Sequence, residues 1–140
     1  MTQDQCLGWI ISQPKLAEKS FSMQNPRFEE TKSQYMGIVY QDDIIAAIKY
    51  ERFCEYGIQI HPYLKEVFWH SNFLHMVNRE IETFFRDAGE RTLIVMCPED
   101  AKHAIIASKK VGYKECGRIR DAVNWKGRTN DMIMLQKGLE

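Results

Sequence analysis

A chain of 140 residues fits one domain built around a single hydrophobic core. Nineteen basic side chains balance nineteen acidic ones, so no overall field draws the molecule to nucleic acid or to an acidic membrane. No apolar run nears the roughly 18 residues of a membrane span, and four widely spaced cysteines without a CxxC pair argue against a zinc cluster or a disulfide framework.

Residues 1 to 34 carry short helical signals. Leu7, Ile10 and Ile11 share a face, and Pro14 begins or breaks a second turn that runs through Leu16 and Ala17 toward Phe21. Ser22 to Ser33 is polar and holds Pro26, which reads as a surface loop, with a lid over a cleft as the alternative. From Tyr35 the period changes. Tyr35 to Tyr40 and Ile44 to Tyr50 are strand-like runs around the short turn Gln41 to Asp43, which predicts a hairpin. A third run, Tyr56 to His61, alternates apolar and polar residues and stops at Pro62.

Helical periodicity then returns in Phe73, Leu74, Val77, Ile81, Phe84, Phe85 and Ala88, with Ser71 as N-cap and Gly89 as stop. This aromatic stripe reads as core. Thr92 to Cys97 is an unbroken apolar run that suits a strand covered on both faces, and Pro98 ends it. A helix is predicted over Glu99 to Lys110, with acidic residues in its first turn, Lys109 and Lys110 in its last, and Val111-Gly112 as the stop. Tyr113 to Ala122 and Thr129 to Gln136 are extended runs joined by Asn124 to Arg128, where Gly127 permits positive φ. The order β-β-β-α-β-α-β-β requires at least one parallel pair of strands, with a right-handed crossover. Ligands of open α/β sheets favour the carboxyl ends of strands, which points to the connection from Ile60 to Ser71.

Val111 to Asp121 (VGYKECGRIRD), then Lys126-Gly127 and the run Asp131 to Leu135, resembles the closing segment of the GNAT superfamily of acyl-CoA-dependent N-acyltransferases. The likeness is greatest to the ribosomal-protein N-terminal acetyltransferase branch and its bacteriophage-encoded relatives, and it spans roughly residues 35 to 137. The resemblance implies an α/β fold of the α+β kind: a mixed, mainly antiparallel central sheet flanked by helices, in a single domain covering the chain. It also implies acetyl-CoA as cofactor and an amine of a protein or small molecule as substrate.

GNAT enzymes carry an Arg/Gln-x-x-Gly-x-Gly/Ala loop between the third strand and the long helix, because glycines let backbone N–H groups close on a pyrophosphate at a helix N-terminus. The matching connection here has Lys65 in place of the basic residue, Glu66, Phe68 and His70 where small residues are expected, and no glycine. The candidate cofactor contacts are Ile60, His61, Lys65, Trp69, His70 and Ser71. Within them Trp69 to Ser71 would present their amides. Glu66 has to turn outward, since a carboxylate about 4 Å from a phosphate costs on the order of 4 kcal/mol at surface-like dielectric.

The tyrosine that serves many of these enzymes as acid stands four residues before the glycine of a Gly-aromatic pair; Ser108, a poor acid, holds that place. Candidate bases are Glu51 and Glu55, just before the third strand, and His61 at its end. The histidines at 61, 70, 75 and 103 lack metal-ligand spacing, so no metal is expected. Cys116 has no partner that would activate it and is expected to be buried.

Two readings follow. One is an acetyl-CoA-dependent N-acetyltransferase; the other is a non-catalytic GNAT-fold phage protein of the virion or of head assembly, whose Phe68-Trp69 pair serves protein contacts. A homodimer is a further expectation. The least supported alternative is a nucleic-acid-binding module, for want of a basic-aromatic array. Without a signal-peptide pattern, the expected compartment is the cytoplasm of a bacterium or a phage-infected cell, with the virion as alternative.

Overall fold

A computed structural model of the chain describes residues 5, 6, 8, 9, 34–64 and 72–140. The elements are β1 (Gln34–Tyr40), β2 (Asp43–Cys54), β3 (Gly57–Leu64), α1 (Phe73–Asp87), β4 (Thr92–Pro98), α2 (Lys102–Lys110), β5 (Lys114–Trp125) and β6 (Arg128–Gly138). Six strands form one mixed sheet in the order β1-β2-β3-β4-β6-β5. β3 and β4 run parallel, whereas β1–β2, β4–β6 and β5–β6 are antiparallel. The fold falls into two compact units, Met1–Glu51 with Ile60–Glu80 and Arg52–Gln59 with Ile81–Glu140, and β2, β3 and α1 each pass from one to the other.

In the first unit, the β1–β2 hairpin closes on Gln41 and Asp42, both in the left-handed region at φ 51° and 62°. Two such residues give the turn a twist that matches the strands it joins. β2 places Ile45 as an extra residue, since Ile38 pairs with Ala46 and Val39 with Ile44. On one face Cys6, Ala47 and Tyr63 are buried together, with Trp9 and Tyr35 packed against them. Elsewhere in this unit the Tyr40 ring meets Phe73 edge-on, with ring centroids 5.3 Å apart.

Two strand ends differ from expectation. β2 runs to Cys54, not Tyr50, because its side chains turn toward solvent while Arg52 ties the following carbonyls of Cys54 and Glu55. β3 runs through Pro62 to Leu64. A proline ends a strand only where the ladder needs its N–H, and Pro62 is exposed. Gln5, Cys6, Gly8 and Trp9 are helical. The face of Leu7, Ile10 and Ile11, the turn at Pro14, the Ser22 to Ser33 loop and the Ser71 cap lie outside the described residues.

The second unit is organised on β4, whose Leu93, Ile94, Val95 and Cys97 are buried. β6 pairs with it over its whole length, from Thr92↔Gly138 to Pro98↔Met132. A strand with neighbours on both edges and cover on both faces needs an unbroken apolar run, which is what the sequence supplies. The buried arc of α1 runs through Val77, Asn78, Ile81 and Phe85. That arc takes in Asn78 and leaves out part of the predicted stripe: Phe84 is 43% exposed and Ala88 is exposed rather than core.

α2 starts three residues later than predicted, with no acidic residue in its first turn. Glu99 and Asp100 are held by β6 instead. The Glu99 N–H donates to the Asp131 carbonyl at 2.9 Å, the Asp100 N–H to Asn130 Oδ1 at 2.8 Å, and Asn130 Nδ2 to Asp100 Oδ2 at 3.1 Å. The far end of α2 is a Schellman motif: Gly112 at φ 102°, its N–H donating to the Lys109 carbonyl, and the Tyr113 N–H donating to that of Ser108. β5 and β6 are joined by two residues, Lys126 and Gly127 at φ 50° and 83°, not by the predicted five. Among the described residues no helix is long and apolar enough to cross a membrane.

Candidate functional site

Side chains alternate across a strand, so Ala47, Lys49 and Glu51 share one face of β2, and His61 and Tyr63 share one face of β3. Ala47 and Tyr63 are buried against each other, which makes the two faces the same side of the sheet. The His61 and Tyr63 rings lie 4.7 Å apart with a 34° tilt. Burial, and next the charge of Lys49, lower the His61 pKa to about 4. The imidazole is therefore neutral at physiological pH. Its appeal as a base titrating near neutrality is removed, since a group this weakly basic differs little from an ordinary carboxylate in proton affinity.

Glu51 stands inside β2, half-buried, rather than in a connection before β3; Glu55 is in the exposed turn after β2. Ile60 is almost fully buried, which leaves its main chain as the part able to meet a ligand. Lys65, Trp69, His70 and Ser71, the remaining candidate cofactor contacts, lie outside the described residues.

Ser108 belongs to the second unit, on α2. Its hydroxyl donates to the Ala104 carbonyl at 2.8 Å and is hydrogen-bonded to the Cys97 side chain. A hydroxyl has one proton, and this one has the Ala104 carbonyl and the Cys97 sulfur as its acceptors. Ser108 is thus badly placed to protonate a leaving group. Burial pushes the Cys97 thiol up to about 12, a rise that the Ser108 bond partly opposes, so Cys97 is an inert thiol. Cys116, expected buried, is exposed: it is the extra residue where Glu115 pairs with Leu135 and Gly117 with Met134. A bulge pushes its residue out of the ladder whatever the residue's polarity.

The residues that carried the family resemblance form a hydrogen-bonded frame. Arg118 Nη1 reaches Asp131 Oδ2 at 2.8 Å and Glu99 Oε1 at 3.2 Å, while the Asp121 N–H, at φ 49° in a second bulge, donates to Asp131 Oδ1 at 2.9 Å. Those bonds, the Asp121 N–H first and Arg118 second, hold the Asp131 carboxyl below its usual range. This frame ties the β5–β6 hairpin to the turn after β4. It marks a fold, and it offers no group poised for chemistry.

Sequence reasoning missed Lys49, the charge beside His61, and the Cys97–Ser108 pair. Lys49 was legible in principle, because period-two spacing from Glu51 puts it on the same face. The Cys97–Ser108 pair depends on how α2 packs on β4, which no local pattern encodes.

Acetyl-CoA carries a pyrophosphate, which has to be met by donors of the protein. The β3 strand end offers Ile60 main chain and His61, with the charge of Lys49 beside them, whereas a pyrophosphate needs several cationic or N–H donors. The rest would have to come from the connection holding Lys65.

No protein-family model matches the sequence, and no curated protein matches it. Many solved structures match in three dimensions, and their fold is that of the GNAT superfamily of acetyltransferases. A ribosomal-protein-alanine N-acetyltransferase from Brucella melitensis superposes with a TM-score of 0.73 at 14% identity, over 99% of this chain and 97% of that one. A GNAT-superfamily phosphinothricin acetyltransferase from Sinorhizobium meliloti, solved in complex with acetyl-CoA, gives 0.63 at 15% identity, over 76% and 61%. A mutant spermidine N-acetyltransferase from Vibrio cholerae gives 0.65 at 11% identity, over 84% and 72%. At these identities the shared property is the fold.

Proposed function

We propose that this chain is an acetyl-CoA-dependent N-acetyltransferase acting on an amine of a protein or a small molecule. The observation that carries the proposal is the superposition over 99% of the chain on an N-acetyltransferase, joined by a fold neighbour solved with acetyl-CoA. Acetyl-CoA supplies an acyl group on a thioester sulfur: the amine nitrogen forms the new C–N bond as the C–S bond breaks, and the amine proton passes to a base.

In this reading Glu51 and His61 line the side of the sheet where the amine arrives, and His61 accepts a proton only weakly. The amine therefore has to arrive largely deprotonated. Ser108 need not act as acid, because a thiol with an ordinary pKa of about 8.5 leaves readily as thiolate near neutral pH. Lys65 supplies the positive charge toward the cofactor's phosphates.

The test is direct. Acetyl-CoA at 100 times its Kd should stabilise the protein by about 2.7 kcal/mol, visible as a rise in Tm, and a panel of amines should then release free CoA. No shift at millimolar acetyl-CoA, with co-purification in a large assembly, would replace this reading with the non-catalytic phage one.

A further inference from the structure

Lys49 and Glu51 stand two residues apart on one face of β2, and both are half-buried. A charge drawn partly out of water loses hydration that an opposite charge or a hydrogen bond has to replace. Elsewhere this chain follows that rule: buried Glu90 meets Arg52 at 2.9 Å, and Glu82 meets Lys137 at 3.1 Å. Lys49 and Glu51 depart from it. Among the described residues neither side chain has an ion pair or a hydrogen bond.

Their surroundings on this face are mostly aromatic. Tyr35 lies directly opposite Lys49 in the β1–β2 ladder, where side chains of one face stand about 5 Å apart. The charge of Lys49 is felt at His61, whose ring lies against Tyr63, and a neutral imidazole cannot balance an ammonium. Buried Ala47 and Tyr63, with Trp9 and Tyr35 packed on them, complete the same side. Apolar and aromatic walls holding a few placed charges are what a site for a small polar molecule requires.

We propose that Lys49 and Glu51 select the amine substrate as a free amino acid, its carboxylate received by Lys49 and its amine by Glu51. The inference rests on the transferase reading and narrows its substrate to a small molecule. The charges match in number as well as sign: one cation and one anion of the protein meet one anion and one cation of a zwitterion. A phosphate carries nearly twice the charge of a carboxylate and takes several donors, which the lone Lys49 does not supply. A polyamine brings a further cation toward Lys49. The N-terminus of a protein brings an amide where the carboxylate belongs. Both leave the lysine unmatched.

The test measures CoA release from acetyl-CoA by the full chain, with the common amino acids and their carboxamides compared at equal concentrations of free amine. At least one acid should exceed its amide by about tenfold or more in kcat/KM, the range of a charge-assisted hydrogen bond. Because the acid-to-amide ratio is taken within one protein, a partial loss of folded material does not alter it. Lys49→Met should bring the ratio to within about twofold of one, and Lys49→Arg should keep it. Amides used as well as acids overturn the inference and leave the transferase reading standing. So does a Lys49→Met protein that raises KM for acetyl-CoA with the ratio unchanged, which assigns the lysine to the cofactor. Binding is a second readout that needs no turnover. With each probe at about 10 mM, tenfold above a millimolar Kd, a bound acid should raise Tm by roughly 3 °C, while its amide, or the acid with Lys49→Met, should not. The absence of any acid-dependent rise overturns the inference, whereas such a rise without CoA release counts against the transferase reading alone.

Discussion

Tyr113 holds a side-chain oxygen that is buried without a hydrogen-bond partner among the described residues, in a residue only 4% exposed. Burial, and then the nearby charge of Glu82, raise its pKa well above the usual phenol range. An unpaired buried hydroxyl costs about 1–3 kcal/mol, and phenylalanine keeps the ring while omitting it. Tyr113→Phe is expected to raise Tm by roughly 3–5 °C, read by calorimetry, at about 1 kcal/mol gained. A fall in Tm would reveal a partner, such as a trapped water. His61 makes the opposite kind of prediction. Its folded pKa lies below the unfolded value of about 6.5, so the unfolded chain takes up the proton first. Stability is complete above pH 6.5 and declines as pH falls toward 4, by up to about 3 kcal/mol in all. Urea titrations between pH 7 and 4 should show that decline, and Lys49→Met should lessen it by letting His61 titrate higher.

At the scale of elements, period and turn chemistry made every described strand and helix legible, because each buries one face or stands between neighbours. Boundaries were less legible where a tertiary bond overrode the local pattern. The acidic pair Glu99-Asp100 looks like a helix start, yet β6 takes both residues, and α2 begins at Lys102. Asn130 is the hinge of that capture: buried, it accepts from the Asp100 N–H and donates to the Asp100 carboxylate and the Arg128 carbonyl. Asn130→Ala leaves the Asp100 N–H without its acceptor and takes one donor from the Asp100 carboxylate, which keeps Arg128 at 3.3 Å, and is expected to cost about 1–3 kcal/mol. Chemical denaturation measures it; a loss below a few tenths of a kcal/mol would mean that α2 slides back to the start its sequence suggests. The candidate site was less legible than the fold. Glu51 and His61 were recognised as chemical groups, but the burial of His61, beside the Tyr63 ring, and the charge of Lys49 that together weaken it are tertiary.

For the whole molecule, the C-terminal motif led to the right fold through residues that turn out to hold a hairpin, Arg118 and Asp131 above all. A fold-defining frame can persist when a cofactor loop has lost its glycines, so the two features report on different things. If the transferase reading is right, the pH dependence of kcat/KM should rise with deprotonation of the substrate amine and show no break near pH 6.5. Steady-state rates with two amines of different pKa check this: the profiles should move with the amine, and a fixed break near 6.5 would return His61 to the role of an ordinary imidazole base. The anchoring of α2 bears on lysine reactivity as well. Lys137 donates its ammonium to the Val111 carbonyl and pairs with Glu82 at 3.1 Å, while Lys102 and Lys126 are exposed. Brief treatment with acetic anhydride should label those two long before Lys137, and the lag at Lys137 becomes a stopwatch for how often the helix end lets go.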